Sequence, residues 1–209
     1  MKVRLAAATA AVCALAAPTA AHAGTLTPQG GCFVTGNAVP LVGAGFAAGS
    51  TISLSGGAFG SSQADAAGNF TTQLQAPLVT TVAPRAITVT ASDGTNAGTA
   101  TFPVVARLFN TNAPLNGRPR QKTTWRFSGF SPGTAIYGHY RFGGRTIKNY
   151  RFGKPTGPCG TLSVRARRMP IPTNRIRRGT WTLQLDQRRH YQRSGARRVI
   201  QFRIVRTLL

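Results

Sequence analysis

Apolar and polar residues alternate at period two through most of the chain, and no segment sustains a helical period of apolar residues. Ile52 and Leu54, then Phe70, Thr72 and Leu74, then Ile87 and Val89, then Ala100, Phe102 and Val104 fall on one face of successive runs, with Ser, Thr and Gln opposite. Such runs predict half-buried strands, because residues i and i+2 share one face of a pleated sheet and only one face need meet a core. Turn residues separate the runs at short intervals: Gly43 to Gly49, Gly56-Gly57, Asp65-Ala66-Ala67-Gly68-Asn69, Ala76-Pro77 and Ser92-Asp93-Gly94. A second inward set follows with larger side chains: Trp125 and Phe127, Leu162, Val164 and Ala166, Trp181, Leu183 and Leu185, then Ile200, Phe202 and Ile204. The predicted class is all-β, and strands at this spacing point to a sandwich.

The two sets are copies of one pattern. Gly45-Phe46-Ala47-Ala48-Gly49-Ser50-Thr51-Ile52 recurs as Gly129-Phe130-Ser131-Pro132-Gly133-Thr134-Ala135-Ile136. In the same order, Ile87-Thr88-Val89 answers Trp181-Thr182-Leu183, and Thr101-Phe102-Pro103-Val104 answers Gln201-Phe202-Arg203-Ile204. The expected organisation is a domain over 24–105, a second over 106–209 and a junction over 105–112, each domain long enough for a seven-strand sandwich to bury a core. The Gly-Phe-x-Pro-Gly loop, the Asp-x-x-Gly-x-Phe turn and the closing Phe-x-Val strand resemble those of bacterial immunoglobulin-like repeats of secreted proteins. The resemblance covers most of the chain and implies two tandem immunoglobulin-like antiparallel β-sandwiches with an extracellular structural, adhesive or binding role. The first copy departs from it in Ala47-Ala48-Gly49, without proline, and the second in Pro158-Cys159-Gly160, which stands in place of the Asp turn.

Residues 1–23 read as a secretory signal: Lys2 and Arg4 supply the charged start, Leu5 to Ala17 an apolar stretch, and Ala21-His22-Ala23 a small-x-small cleavage site. No later stretch approaches the roughly 18 apolar residues of a membrane span, and the expectation is export without a transmembrane segment. Removing the signal takes Cys13 with it and leaves Cys32 and Cys159 bound for an oxidising compartment, either as a disulfide joining the copies or as two separately buried thiols. No Cys/His cluster has metal-ligand spacing, so neither a metal nor another cofactor is expected.

Charge divides the copies. Residues 24–105 carry Arg85 against Asp65 and Asp93, whereas 106–209 carry 23 Lys and Arg against Asp186 alone, a net +22, and the chain contains no Glu. Segregation of this degree bears on partners rather than on fold. A local repeat lies inside the basic copy, Tyr140-Arg141-Phe142-Gly143 and Tyr150-Arg151-Phe152-Gly153, joined through Gly143-Gly144, a pair suited to a two-residue hairpin turn. If Phe142 pairs with Arg145, alternation places Tyr137, His139, Arg141, Thr146, Lys148 and Tyr150 on an exposed face, with His139 opposite Lys148 and Tyr137 opposite Tyr150. Ile136, Tyr140 and Ile147 would then face the core. Cations interleaved with rings suit an anionic polymer, guanidinium for bidentate contacts and rings for stacking, although a solvated outer strand face has the same composition. Arg165, Arg167 and Arg168 enlarge the basic surface, as do Arg175, Arg177 and Arg178, and in the last hairpin Arg188, Arg189, Arg193, Arg197 and Arg198.

Enzymatic chemistry has little to build on. Asp186, His190 and Ser194 could be imagined as a triad, but no nucleophile elbow accompanies them, and Asp65 and Asp93 sit in turns. The expected function is that of a secreted, non-enzymatic protein, associated with the cell wall, whose basic domain holds an anionic polymer. A teichoic-type polymer, an acidic polysaccharide and nucleic acid are the candidate partners, and no small-molecule substrate is expected. An extracellular nucleic-acid binder and a purely structural module without a polyanion partner are the rival readings.

Overall fold

The structure, a computed structural model, describes residues 23–111, 118–193 and 197–205. The expected signal segment up to residue 22 and Ser194 lie outside them. The strands are β1 Thr25–Pro28, β2 Phe33–Val34, β3 Ala38–Ala44, β4 Thr51–Gly56, β5 Gly60–Gln63, β6 Phe70–Gln75, β7 Arg85–Ser92 and β8 Ala97–Val105. They continue as β9 Leu108–Thr111, β10 Lys122–Ser128, β11 Ile136–Phe142, β12 Arg145–Gly153, β13 Leu162–Arg167, β14 Gly179–Asp186 and β15 Arg198–Ile204, with one 3₁₀ turn over Thr173–Arg175. The described fold is all-β. No described helix is long and apolar enough to cross a membrane.

Strand order repeats between the two parts of the chain. A three-stranded sheet β1-β3-β6 packs on the five-stranded β2-β8-β7-β4-β5, and later β9-β10-β13 packs on β12-β11-β14-β15. Apart from the two-residue β2, which joins β8 in parallel, each early strand has a later counterpart at the same place: β1 with β9, β3 with β10, and β4 to β8 with β11 to β15. Register follows suit, with Ile87 opposite Phe102 and Trp181 opposite Phe202. Among the described residues no sheet takes strands from both parts.

Each pair of sheets encloses its own apolar cluster, built from the alternating positions. Ile52, Leu54, Phe70, Leu74, Ile87, Val89, Phe102 and Val104 meet in one. Trp125, Phe127, Phe152, Trp181, Leu183, Leu185 and Ile204 meet in the other. Rings dominate the second cluster: Phe152 lies 5.0 Å from each of Trp125, Phe127 and Tyr150. The polar tips of Tyr140 and Trp181 are satisfied, as burial demands: the Tyr140 hydroxyl donates to the Arg168 carbonyl at 2.9 Å and the Trp181 indole to that of Arg177 at 2.9 Å.

The repeated Gly-Phe loop is a repeated structure. Gly45 and Gly49 have φ of 82° and 67°, and Gly129 and Gly133 have 73° and 76°. In both copies a later glycine lies against the loop: a Cβ on Gly68 would stand 2.2 Å from the Phe46 carbonyl oxygen, and one on Gly160 would stand 1.5 Å from that of Phe130. Asp65 shapes the first of these turns by accepting from the Ala67 and Asn69 amides at 2.8 and 2.9 Å. In the second copy the backbone does that work, Thr156 and Thr161 exchanging amide bonds at 2.8 and 3.0 Å around Pro158-Cys159-Gly160. The departure from the Asp turn thus preserves the glycine contact.

A disulfide joins the parts, and two hydrogen bonds tie the junction to the second of them. Cys32 and Cys159 form a disulfide, with Cα atoms 5.1 Å apart. The Ser128 hydroxyl donates to the Ala106 carbonyl at 2.8 Å, and Arg107 Nε donates to the Gly129 carbonyl at 2.9 Å.

Candidate anion-binding surface

The sheet containing β10 and β13 sorts its residues by charge. Trp125, Phe127 and Ala166 face the core, while Lys122, Arg126, Ser163, Arg165 and Arg167 are exposed. Register sets Lys122 opposite Arg167, Thr124 opposite Arg165 and Arg126 opposite Ser163. Facing residues of an antiparallel pair lie about 5 Å apart and successive outward residues about 7 Å apart, so these cations share one face. The basic area continues past the end of the pair: Arg168 and Met169 bond through their amides to the Gln121 and Pro119 carbonyls, and Arg120 Nη1 donates to the Thr173 hydroxyl at 3.3 Å. Arg118, Arg120, Arg175, Arg177 and Arg178 are exposed here, and Arg168 is half-buried.

The strip expected on β11 and β12 differs from the observed one in two ways. Phe142 does pair with Arg145, but the register slips between Tyr140 and Arg141, so His139 faces Asn149 and Tyr137 faces Arg151. The slip skips Ile147 and turns Tyr150 toward the core, where it packs against Phe152. His139, expected at the surface, is 0% exposed. It stays on the outer side of the sheet, but the β14–β15 connection folds back across it: Gln184 Nε2 donates to the Gln192 carbonyl at 2.7 Å, and the Tyr191 ring stands edge-on to the imidazole at 6.1 Å. Arg141 is drawn into the same cover, its guanidinium 3.9 Å from the Tyr191 ring centroid and bonded to the Tyr191 hydroxyl and the Gly144 carbonyl. Lys148 remains exposed and Tyr137 half-exposed.

Beneath this cover lies a charged pair. His139 Nε2 meets Asp186 Oδ1 at 3.1 Å and its Nδ1 meets Asn149 Oδ1 at 2.7 Å. Both ring nitrogens face oxygen atoms, an arrangement that favours the protonated ring. Asp186 also accepts from Gln184 Nε2 at 2.6 Å and from the Arg188 amide at 2.8 Å. Burial alone disfavours both charges; the mutual hydrogen bonds and attraction outweigh it, holding His139 above its ordinary value and Asp186 below its own. The partner of Asp186 is therefore His139 rather than His190, which is exposed in the connection. Asn149, Gln184 and Tyr191 complete a site that sequence reasoning missed. The available signal was Gln184 next to the basic copy's one carboxylate, on an outward strand position.

Arg188, Arg189, Arg193, Arg197 and Arg198 are exposed around the last hairpin, and Arg198 Nε donates to the Arg107 carbonyl. Asp65 and Asp93 shape turns in the other part, Asp93 accepting from the Ala47, Thr95 and Asn96 amides at 2.7, 2.8 and 2.6 Å. The described residues hold no group of three or more His, Cys, Asp and Glu that could ligate a metal.

No protein-family model matches the chain, and no curated protein matches it. Solved structures similar to it include a Salmonella alpha-2-macroglobulin, at 13% identity and TM-score 0.31 over 88% of this chain and 15% of that one. The BSP domain of a biofilm-associated protein aligns over 86% of this chain and 29% of that one, at 12% identity and TM-score 0.25. Bovine butyrophilin aligns over 88% of this chain and 99% of that one, at 9% identity and TM-score 0.29.

Proposed function

We propose that this is a secreted, non-enzymatic, structural or adhesive protein whose basic part holds an anionic polymer of the cell envelope or its surroundings through the outer face of β10 and β13 and the arginines beside it. The observation that carries the reading is electrostatic. Lys122, Arg126, Arg165 and Arg167 share an exposed face, while the one carboxylate side chain between residues 106 and 209 is buried against His139. That carboxylate is thereby removed from the surface that it would otherwise neutralise. A like-signed face of this kind gathers counter-ions, and exchanging them for one polyanion is favourable through their release.

The outward positions of β10 and β13 include no aromatic residue: they are Lys122, Thr124, Arg126, Ser163, Arg165 and Arg167. Binding to single-stranded nucleic acid draws much of its strength from bases stacked on rings, and this face offers only charge and hydroxyls. It therefore suits a polymer held through charge alone, a teichoic-type polyol phosphate or a duplex nucleic acid before a single-stranded one.

Retention of the mature protein on wall teichoic polymer, an acidic polysaccharide and duplex DNA across a salt series tests the proposal. The triple variant K122Q/R165Q/R167Q is expected to flatten the salt dependence; on duplex DNA the slope of log affinity against log salt should fall by about 3, at roughly 0.9 per lost contact. Retention unchanged in the triple variant would overturn the assignment to this face.

A further inference from the structure

Between the two sandwiches runs a groove that the polymer-binding face does not use. Its larger section encloses about 490 Å³ and has two unlike walls: Val34, Leu78 and Val79 on the first part, Arg107, Arg197 and Arg198 on the other side. A neighbouring section of about 240 Å³ shares Val34 and Arg107 and ends at the Cys32–Cys159 bridge. The larger volume falls within the range of about 300–1,000 Å³ typical of small-molecule sites.

The cationic wall is positioned. Arg107 Nε is bonded to the Gly129 carbonyl at 2.9 Å and Arg198 Nε to the Arg107 carbonyl. Each bond fixes a planar guanidinium by one edge and leaves its terminal amino groups as donors, the arrangement that grips an oxyanion through two parallel hydrogen bonds. No Asp is among the residues lining either section, so the field of three arginines is not cancelled within the groove. Leu78, which lines the same groove, is 76% exposed, a large apolar side chain left to water. A polyanion would use the arginines alone; an apolar wall across from them calls for a ligand with one apolar end.

We infer that this groove binds an amphiphilic oxyanion, a phosphate or carboxylate head between the arginines with a short apolar body against Val34, Leu78 and Val79. The site is separate from the β10–β13 face, and its test separates the two readings. Octyl phosphate, inorganic phosphate and octyltrimethylammonium are titrated into the mature oxidised protein by calorimetry at physiological salt. Octyl phosphate is expected to saturate one site per chain, inorganic phosphate to bind at least about tenfold more weakly, and the ammonium not at all. L78D, which sets a carboxylate on the apolar wall, and R197Q, at an exposed position, should each weaken octyl phosphate about tenfold while leaving the circular dichroism spectrum unchanged. K122Q/R165Q/R167Q should bind octyl phosphate as the parent does, whatever becomes of polymer retention. Octyl phosphate binding no tighter than inorganic phosphate would overturn the inference, as would binding lost in the outer-face triple variant but kept in L78D and R197Q.

Discussion

His139 and Asp186 are each the other's charge partner in a buried site. Removing one side of such a pair leaves the other buried and uncompensated, so H139L is expected to cost about 3 kcal/mol or more in chemical denaturation. The pair also sets a pH window. His139 has a folded value raised above the ordinary 6.5, so its contribution is complete below 6.5 and is lost as pH rises through the folded value. Asp186 has a value lowered below 3.8, so its contribution is present above 3.8 and is lost as pH falls through the folded value. The groups around the His139 ring are Asp186 and Gln184 of β14, Asn149 of β12 and Tyr191 of the connection, with Arg141 behind the Tyr191 ring. Melting temperature is therefore expected to decline as pH rises above 6.5 in the parent, and H139L should lack that decline. At this scale the sequence misleads: alternation correctly puts His139 on the outer side of its strand, but only the connection folding back makes the outer side an interior.

At the scale of elements, β10 and β13 set the proposed polymer binding against stability. Like charges directly opposite one another destabilise an antiparallel pair, and Lys122 faces Arg167. K122E is expected to raise stability by about 0.2–1 kcal/mol in urea unfolding and to weaken retention on an anionic polymer, the two effects moving in opposite directions. The turn against the Gly-Phe loop carries a second prediction. G160A would press a Cβ into the Phe130 carbonyl at a φ of 55°, and the left-handed backbone alone should cost about 1–2 kcal/mol, with larger loss from the collision. The Gly143-Gly144 turn was legible from the residue pair, whose φ values of 53° and 77° suit the hairpin. The slip past Ile147 was not, since a bulge leaves no mark in the pattern of polar and apolar residues until the partner strand is known.

For the whole molecule, the bridge between Cys32 and Cys159 closes a span of 127 residues, for which chain entropy suggests about 4–5 kcal/mol. Reduction is expected to lower the calorimetric melting temperature by roughly 10 °C, and the two cores, which share no strand among the described residues, should then melt as separate transitions. Several properties were set by local chemistry and could be read directly. Period-two alternation names the strands and their inward faces, glycines at matched places repeat the loop, and counting charges divides the chain into a neutral and a basic part, because each depends on nearest neighbours or on composition alone. Tertiary structure decided the rest: which residue pairs with Asp186, which rings leave the surface, and where arginines from the junction and the last hairpin meet an apolar wall from the first part. Those contacts join residues far apart in the chain, and their geometry follows from how sheets, connections and the disulfide pack together rather than from any local pattern.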